Sequence, residues 1–175
     1  MMIAITGTPG TGKTYLAGEL RSRGYEVLDI NEYVKANGLL EEKDESRDTY
    51  CVDVDSLDRS LEAYRAKGLI MIEGHYSHCV ECDLAIVLRC APDILAERLK
   101  VRGYSQNKIK ENVQAELLDV ILCEASELDV PVFELDSSGD SVSGLADKAE
   151  YIIKGNTDKY RPGNVDWTEE LEKWF

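Results

Sequence analysis

Eight residues near the amino terminus, Gly7-Thr8-Pro9-Gly10-Thr11-Gly12-Lys13-Thr14, restrict the fold more than any other part of the sequence. They match G-x-x-x-x-G-K-[ST] and sit where that pattern has a mechanical meaning. A short apolar run, Met1 to Thr6, precedes them, and a periodic stretch with apolar Leu16, Ala17 and Leu20 follows until Gly24. The order is therefore strand, loop, helix. Gly10 and Gly12 let backbone N–H groups turn inward around phosphate oxygens, and the helix aims its positive end at the same place. Lys13 would reach the β- and γ-phosphates of ATP, while the Thr14 hydroxyl would ligate a Mg²⁺ ion bridging them.

The rest of the chain alternates in the same way. Further strands are expected at Tyr25 to Ile30, Leu69 to Ile72, Leu84 to Arg89 and Pro131 to Leu135. Helices are expected near Asp55 to Lys67, from Pro92 to Arg102, in one long stretch after the capping Ser105 as far as Leu128, and from Val142 to Ile153. Four of the five strands are continuous apolar runs, the pattern of strands covered by helices on both faces. The expected class is α/β, a five-stranded parallel sheet. A polar, acidic stretch from Asn31 to Asp55 carries helical fragments, and the tail from Gly155 to Phe175 offers Trp167, Leu171, Trp174 and Phe175 to dock a final short helix. At 175 residues and 43% apolar, the chain has the material for one domain with a real core. No apolar run approaches a membrane span and no basic-then-apolar leader opens the sequence, so a cytoplasmic protein is expected. Five cysteines, an odd number in a chain large enough to need no staples, fit a reducing compartment.

Three further groups of residues carry chemistry. A phosphate loop of this kind needs an acid at the end of a neighbouring strand to hold the metal's hydration shell, and Glu73 stands where Leu69 to Ile72 stops. His75 follows two residues later, so a carboxylate and an imidazole can face the cleft at the carboxyl ends of the strands and order a water. His75, His78, Cys79 and Cys82 also invite a zinc reading, but a single Cys-x-x-Cys without a second pair favours thiols beside a turn, with His78 a polar loop residue. Arg98 and Arg102 lie four apart on one helix before the hinge Gly103-Tyr104, where either guanidinium could clamp a transferring phosphoryl group or form a solvated pair with Glu97. Asp29, at the end of the second strand, could bind hydroxyls of an acceptor substrate.

Charge restricts the partners. With 34 acids against 20 bases the net charge is −14, which disfavours a broad groove tracking nucleic-acid phosphates and favours a basic macromolecular partner. Between Glu41 and Asp58 eight acids face only Lys43 and Arg47, so Arg47 is almost the only residue there suited to an acceptor phosphate. The same segment could equally receive a basic protein.

On Gly7 to Thr14, on Glu73-Gly74-His75, and on Arg102-Gly103-Tyr104-Ser105-Gln106-Asn107-Lys108 followed by Asn112-Val113-Gln114-Ala115-Glu116, the chain resembles the adenylate kinase isoenzyme six family, which includes the coilin-interacting nuclear ATPase. The resemblance runs from about Ile3 to Ile153. It implies a nucleoside monophosphate kinase fold with an acceptor insert near residues 30–53 and a lid near 101–111. It also implies ATP held through Gly10, Gly12, Lys13, Thr14, Tyr15 and Arg102, and a monophosphate such as AMP near Asp29, Arg47 and Arg98. Members of that family also hydrolyse ATP and assist small ribosomal subunit maturation by binding a basic small-subunit ribosomal protein. Glu73 stands where eukaryotic members carry Asp, and the Tyr160-Arg161-Pro162-Gly163 to Asp166-Trp167 tail is similar to archaeal members. Two functions follow as expectations: phosphoryl transfer from ATP to a monophosphate with slow hydrolysis, or an ATP-switched assembly factor. A small-metabolite kinase of the shikimate or gluconate kind, using Asp29, is a weaker third.

Overall fold

The computed structural model describes residues 1–44 and 49–175, with side chains described outside residues 41–51. In chain order the elements are β1 Met2–Thr6, α1 Lys13–Ser22, β2 Val27–Asp29, α2 Ile30–Ala36, β3 Leu40–Asp44, β4 Thr49–Val52, α3 Val54–Ser60, α4 Glu62–Arg65, β5 Ile70–Glu73, β6 Leu84–Arg89, α5 Pro92–Val101, α6 Gln106–Leu117, α7 Val120–Ser126, β7 Val132–Asp136, α8 Val142–Ile153 and α9 Leu171–Trp174. Strands β2, β5, β1, β6 and β7 form one parallel sheet in that spatial order. All five expected strands are present, each within two or three residues of its expected ends.

The two sheet faces carry separate apolar layers. Ile3, Ile5, Ile86, Leu88 and Phe133 pack with Leu16 and Leu20 of α1 and Leu145, Ala149 and Ile152 of α8. Met2, Ala4, Ile70, Ile72 and Ala85 point the other way, onto Ile30, Val34, Leu57 and Leu61. This alternation along strands that are apolar throughout is what burial on both faces requires. Because β1 is central, the turn leaving Thr6 emerges at the middle of the sheet's carboxyl edge, between the ends of β5 and β6.

Three expectations change. The stretch after β2 holds one helix, α2, whose first turn is capped by Asp29, and then an antiparallel pair, β3 with β4, instead of helical fragments alone. The helix expected near Asp55 to Lys67 is two short ones, α3 and α4. The long helix expected after Ser105 is also two, α6 and α7, interrupted at Leu118-Asp119 where Asp119 takes a left-handed φ of 54°. A buried cation sits at this break: Arg89 donates to the Glu116 carbonyl at 3.3 Å, competing for an acceptor of the helical ladder, and to the Asp119 carboxylate. Ser105 does cap α6, accepting from the Lys108 amide.

The tail folds back through three of the four expected side chains, while Phe175 is exposed. Trp167, Leu171 and Trp174 pack on Leu95, Leu99, Ile109 and Val113 of α5 and α6, and Gln114 Nε2 donates to the Trp174 carbonyl at 2.9 Å. Among the described residues, no helix is long and apolar enough to cross a membrane.

Candidate active site

The loop between β1 and α1 is held by close approach and by side-chain caps. Gly7 has φ 138°, and a Cβ there would lie 2.4 Å from the Leu88 carbonyl oxygen; Gly10 has φ 96°, and a Cβ there would lie 2.8 Å from Leu95 Cδ1. Only glycine fits either place. Thr11 Oγ1 donates to the Thr8 carbonyl at 2.9 Å, and Ser137 Oγ donates to the Thr11 carbonyl at 2.6 Å. Lys13 is 8% exposed and curls back onto the loop, its Nζ donating to the carbonyls of Gly7 at 2.7 Å and Thr8 at 3.0 Å. Burial lowers its pKa from 10.5 to about 8, with Glu73 and Glu116 pulling the other way. A dianionic ligand in the loop would supply the countercharge that Lys13 otherwise lacks.

Glu73 ends β5 in register with Asp29 of β2 and Ile5 of β1, so the sheet itself delivers it beside the loop. It is 2% exposed, and its Oε1 is buried without a hydrogen-bond partner. Burial raises its pKa, the facing Asp29 carboxylate adds to the push, and Lys13 with the Thr14 hydroxyl opposes it. An orphaned carboxylate oxygen next to Thr14 suits a hydrated Mg²⁺, an all-oxygen ion that keeps several waters. His75 borders the same cavity and is exposed to solvent, its ring edge-on to Tyr76 with the centroids 4.7 Å apart. Desolvation by its surroundings, with Lys13, His78 and Lys108 nearby, depresses its pKa to about 4, so it is neutral at pH 7.

Two cavities meet at the loop. One, of about 790 Å³, is the more polar of the two and is lined by Lys13, Thr14, Glu73, His75, Arg102 and Lys108 among others. The second, of about 730 Å³, is mostly apolar and is lined by Tyr15, Ile94, Arg98, Val101, Val142 and Leu145. Gly10, Gly12 and Arg102 border both. The structure thus brings together Gly10, Gly12, Lys13, Thr14, Glu73, His75 and Arg102, with Tyr15 just across the loop.

Other candidates are placed elsewhere. Arg98 faces the apolar cavity, not the polar one, and is occupied with Ser137, donating to its carbonyl at 2.8 Å and to its hydroxyl at 3.2 Å. Asp29 is taken up by capping α2, its Oδ1 accepting from the amides of Asn31 and Glu32, and neither cavity is lined by it. Arg47 lies outside the described residues. His78 is a buried bridge and not a polar loop residue: its Nδ1 is 2.8 Å from Thr6 Oγ1 and its Nε2 3.2 Å from Glu124 Oε2, because the turn after Gly74 tucks inward beneath β1. Cys82 is buried in the core layer with Met2 and Ile70 while His75 faces the cavity, so the four possible zinc ligands do not converge. Among the described residues no three His, Cys, Asp or Glu side chains are grouped to hold a metal.

Sequence reasoning missed Ser137, Lys108 and the pair Arg89 and Glu116. Glu116 Oε2 accepts from Thr8 Oγ1 at 2.5 Å, so an acid on α6 grips the second residue of the loop. A signal existed: Glu116 stands between Val113 and Leu117 on the helix's buried face, where a lone acid needs partners.

The matching family model, described as an AAA domain, covers residues 3–119. A Methanocaldococcus jannaschii protein named "Putative adenylate kinase" is 45% identical over 97% of this chain and 94% of its own length. An Archaeoglobus fulgidus protein of the same name is 43% identical over 98% and 94%. Among solved structures, shikimate kinase from Acinetobacter baumannii aligns with TM-score 0.60 at 16% identity, covering 89% of this chain and 93% of its own. Deoxyadenosine kinase from M. mycoides aligns with TM-score 0.56 at 18% identity, covering 88% and 100%. At such identities these structures speak for the fold, a P-loop kinase fold, and for nothing finer. The chain belongs to the AAA domain family and to one family with these archaeal proteins.

Proposed function

We propose that this protein is a nucleoside monophosphate kinase of the adenylate kinase type, transferring the γ-phosphoryl group of MgATP to AMP or a related monophosphate. The observation that carries the reading is the pair of cavities joined at the phosphate loop, with Arg102 bordering both. The apolar cavity suits a purine and ribose, packed by Tyr15, Ile94 and Val142, with Arg98 at its wall. The polar cavity suits the triphosphate end and an acceptor phosphate, with Lys13, Arg102 and Lys108 as its cations. The names of the archaeal relatives support the same reading.

In this reading an acceptor phosphate oxygen bonds to the γ-phosphorus as the bond to the β–γ bridging oxygen breaks, releasing ADP on both sides. Little covalent chemistry falls to the protein, so positioning and charge neutralisation carry the rate. Lys13 leaves the loop carbonyls for the phosphates, Arg102 swings on the Gly103 hinge, and Glu73 and the neutral His75 order water about the cation site. Thr14 and Glu73 would hold Mg²⁺, which when bound neutralises phosphate charge. Hydrolysis follows when water takes the acceptor position.

The test is ADP formation from ATP and Mg²⁺ with and without AMP, across a panel of monophosphates. Production that depends on AMP, with two ADP per AMP consumed, is expected. ADP formed at one rate regardless of any monophosphate would remove the kinase and leave an ATPase. The net charge of −14 favours a second reading: an assembly factor of the isoenzyme six family that carries a basic small-subunit ribosomal protein to the pre-ribosomal small subunit and is switched by ATP.

A further inference from the structure

Arg89 ends β6 inside the protein, 1% exposed, and three carboxylates converge on it. Its Nε donates to Glu116 Oε1 at 2.8 Å, its Nη1 to Glu134 Oε2 at 3.0 Å, and its Nη2 to Asp119. Glu116 and Glu134 are each 2% exposed, so two buried negative charges share one buried positive one. Such an excess persists only if neutral donors complete it. Glu116 obtains them from the phosphate loop and its surroundings: Thr8 Oγ1 at 2.5 Å and the Cys90 amide at 3.1 Å. Glu134 obtains them from the carboxyl-terminal tail, whose Asn164 and Val165 amides both donate to its Oε1, the latter at 2.8 Å.

We propose that the Asn164-Val165 turn and Glu134 are positioning residues for the phosphate loop, acting through Arg89 and Glu116 on Thr8. The inference rests on the reading of Gly7 to Thr14 as a triphosphate site. The coupling has a physical reason at each joint. Without the tail amides, Glu134 keeps a buried oxygen with no donor, and Arg89, already bonded to its other oxygen, is placed to compensate. As Arg89 turns toward Glu134 its hold on Glu116 weakens. Glu116, less firmly placed by Arg89, then fixes Thr8 in position less rigidly and presents more negative charge to the phosphate site. Thr8 is the hub of that loop: its carbonyl accepts from Lys13 Nζ, from the Thr11 amide at 3.2 Å and from Thr11 Oγ1.

The experiment measures the dissociation constant for MgATP and the melting temperature of full-length variants. Val165→Pro deletes one tail amide donor without touching the core or the cavities, and Ile152→Val, on α8, is a control that lowers stability elsewhere. Loss of a single buried hydrogen bond is worth about 1 kcal/mol, so Val165→Pro is expected to weaken MgATP by about fivefold. Ile152→Val is expected to lower the melting temperature with no change in that affinity. In a Thr8→Val background, Val165→Pro is expected to add nothing further, since the chain of contacts is already cut at its far end. Thr8→Ser, which keeps the hydroxyl, should restore the sensitivity. Should Val165→Pro unfold the protein, Glu134→Gln makes the same test, because its amide can meet the tail or Arg89 but not both. MgATP affinity unmoved by both tail-side changes, or weakened equally with and without the Thr8 hydroxyl, overturns the inference alone. A wild-type protein that does not bind MgATP overturns the triphosphate reading together with it.

Discussion

Lys13 is where burial and function oppose each other. Its ammonium is charged at pH 7, yet it is buried among loop carbonyls with its pKa lowered from 10.5 to about 8. A lysine whose folded pKa lies below its unfolded one costs stability, fully so below the folded pKa, and the cost fades as pH rises from about 8 toward 10.5. Lys13→Met is therefore expected to be more stable than wild type at pH 7 without nucleotide, by at most on the order of 3 kcal/mol. That difference should shrink by pH 10, and the same variant should lose phosphoryl transfer. Urea unfolding of both proteins at the two pH values is the measurement; a variant less stable than wild type at pH 7 contradicts the account. Lys13 and its loop were legible because the chemistry is written in eight consecutive residues. Glu73 was legible because a strand's end is visible in sequence. The occupation of Asp29 by a helix cap and of Arg98 by Ser137 was not, since both depend on what folds nearby rather than on spacing.

The phosphate loop is supported from outside by α5, and this gives its glycines different weights. A methyl group at Gly10 meets Leu95 Cδ1 at 2.8 Å and Leu99 Cδ2 at 3.0 Å, on a backbone with positive φ. Gly18, on the exposed side of α1, has nothing within 4 Å of such a methyl and no positive φ. Gly10→Ala is expected to destabilise by about 1–3 kcal/mol and to abolish MgATP binding. Gly18→Ala should stabilise by about 0.5–1 kcal/mol with activity kept. Thermal melts with and without MgATP separate the two, and a Gly10→Ala protein that binds normally would refute the wedge. The strands were legible for a related reason: apolar runs of strand length report burial on two faces directly. The break between α6 and α7 was not, because the apolar period runs through it from Val113 and Leu117 to Ile121. The group bonded at the break is Arg89, which arrives from β6 and is remote in sequence. The β3–β4 pair was missed because β3, Leu40–Asp44, is mostly charged and β4, Thr49–Val52, is too short to show an alternation that marks a buried face.

The candidate site and the chain as a whole differ in charge. The cations Lys13, Arg102 and Lys108 gather at one cavity, while the chain carries a net −14. A triphosphate reaching that cavity meets a locally positive site inside a negative body, whereas a basic protein meets attraction over a wide area. If the second reading holds, a basic small-subunit ribosomal protein is captured by long-range charge and released by movement of the nucleotide-bound lid. These two parts respond to different variables. Capture should weaken steeply as ionic strength rises from about 50 to 300 mM, because screening shortens to less than the span of the surface. At any fixed salt that still permits capture, the change on adding MgATP should persist, and it should vanish in Lys13→Ala, which alters one buried charge and leaves the acidic residues intact. A pull-down of the ribosomal protein over a salt series, with and without MgATP, in both proteins, reads both. Salt dependence with identical recovery in all nucleotide conditions would leave an acidic binding surface with no switch. Recovery insensitive to salt would mean that charge is not what selects the partner.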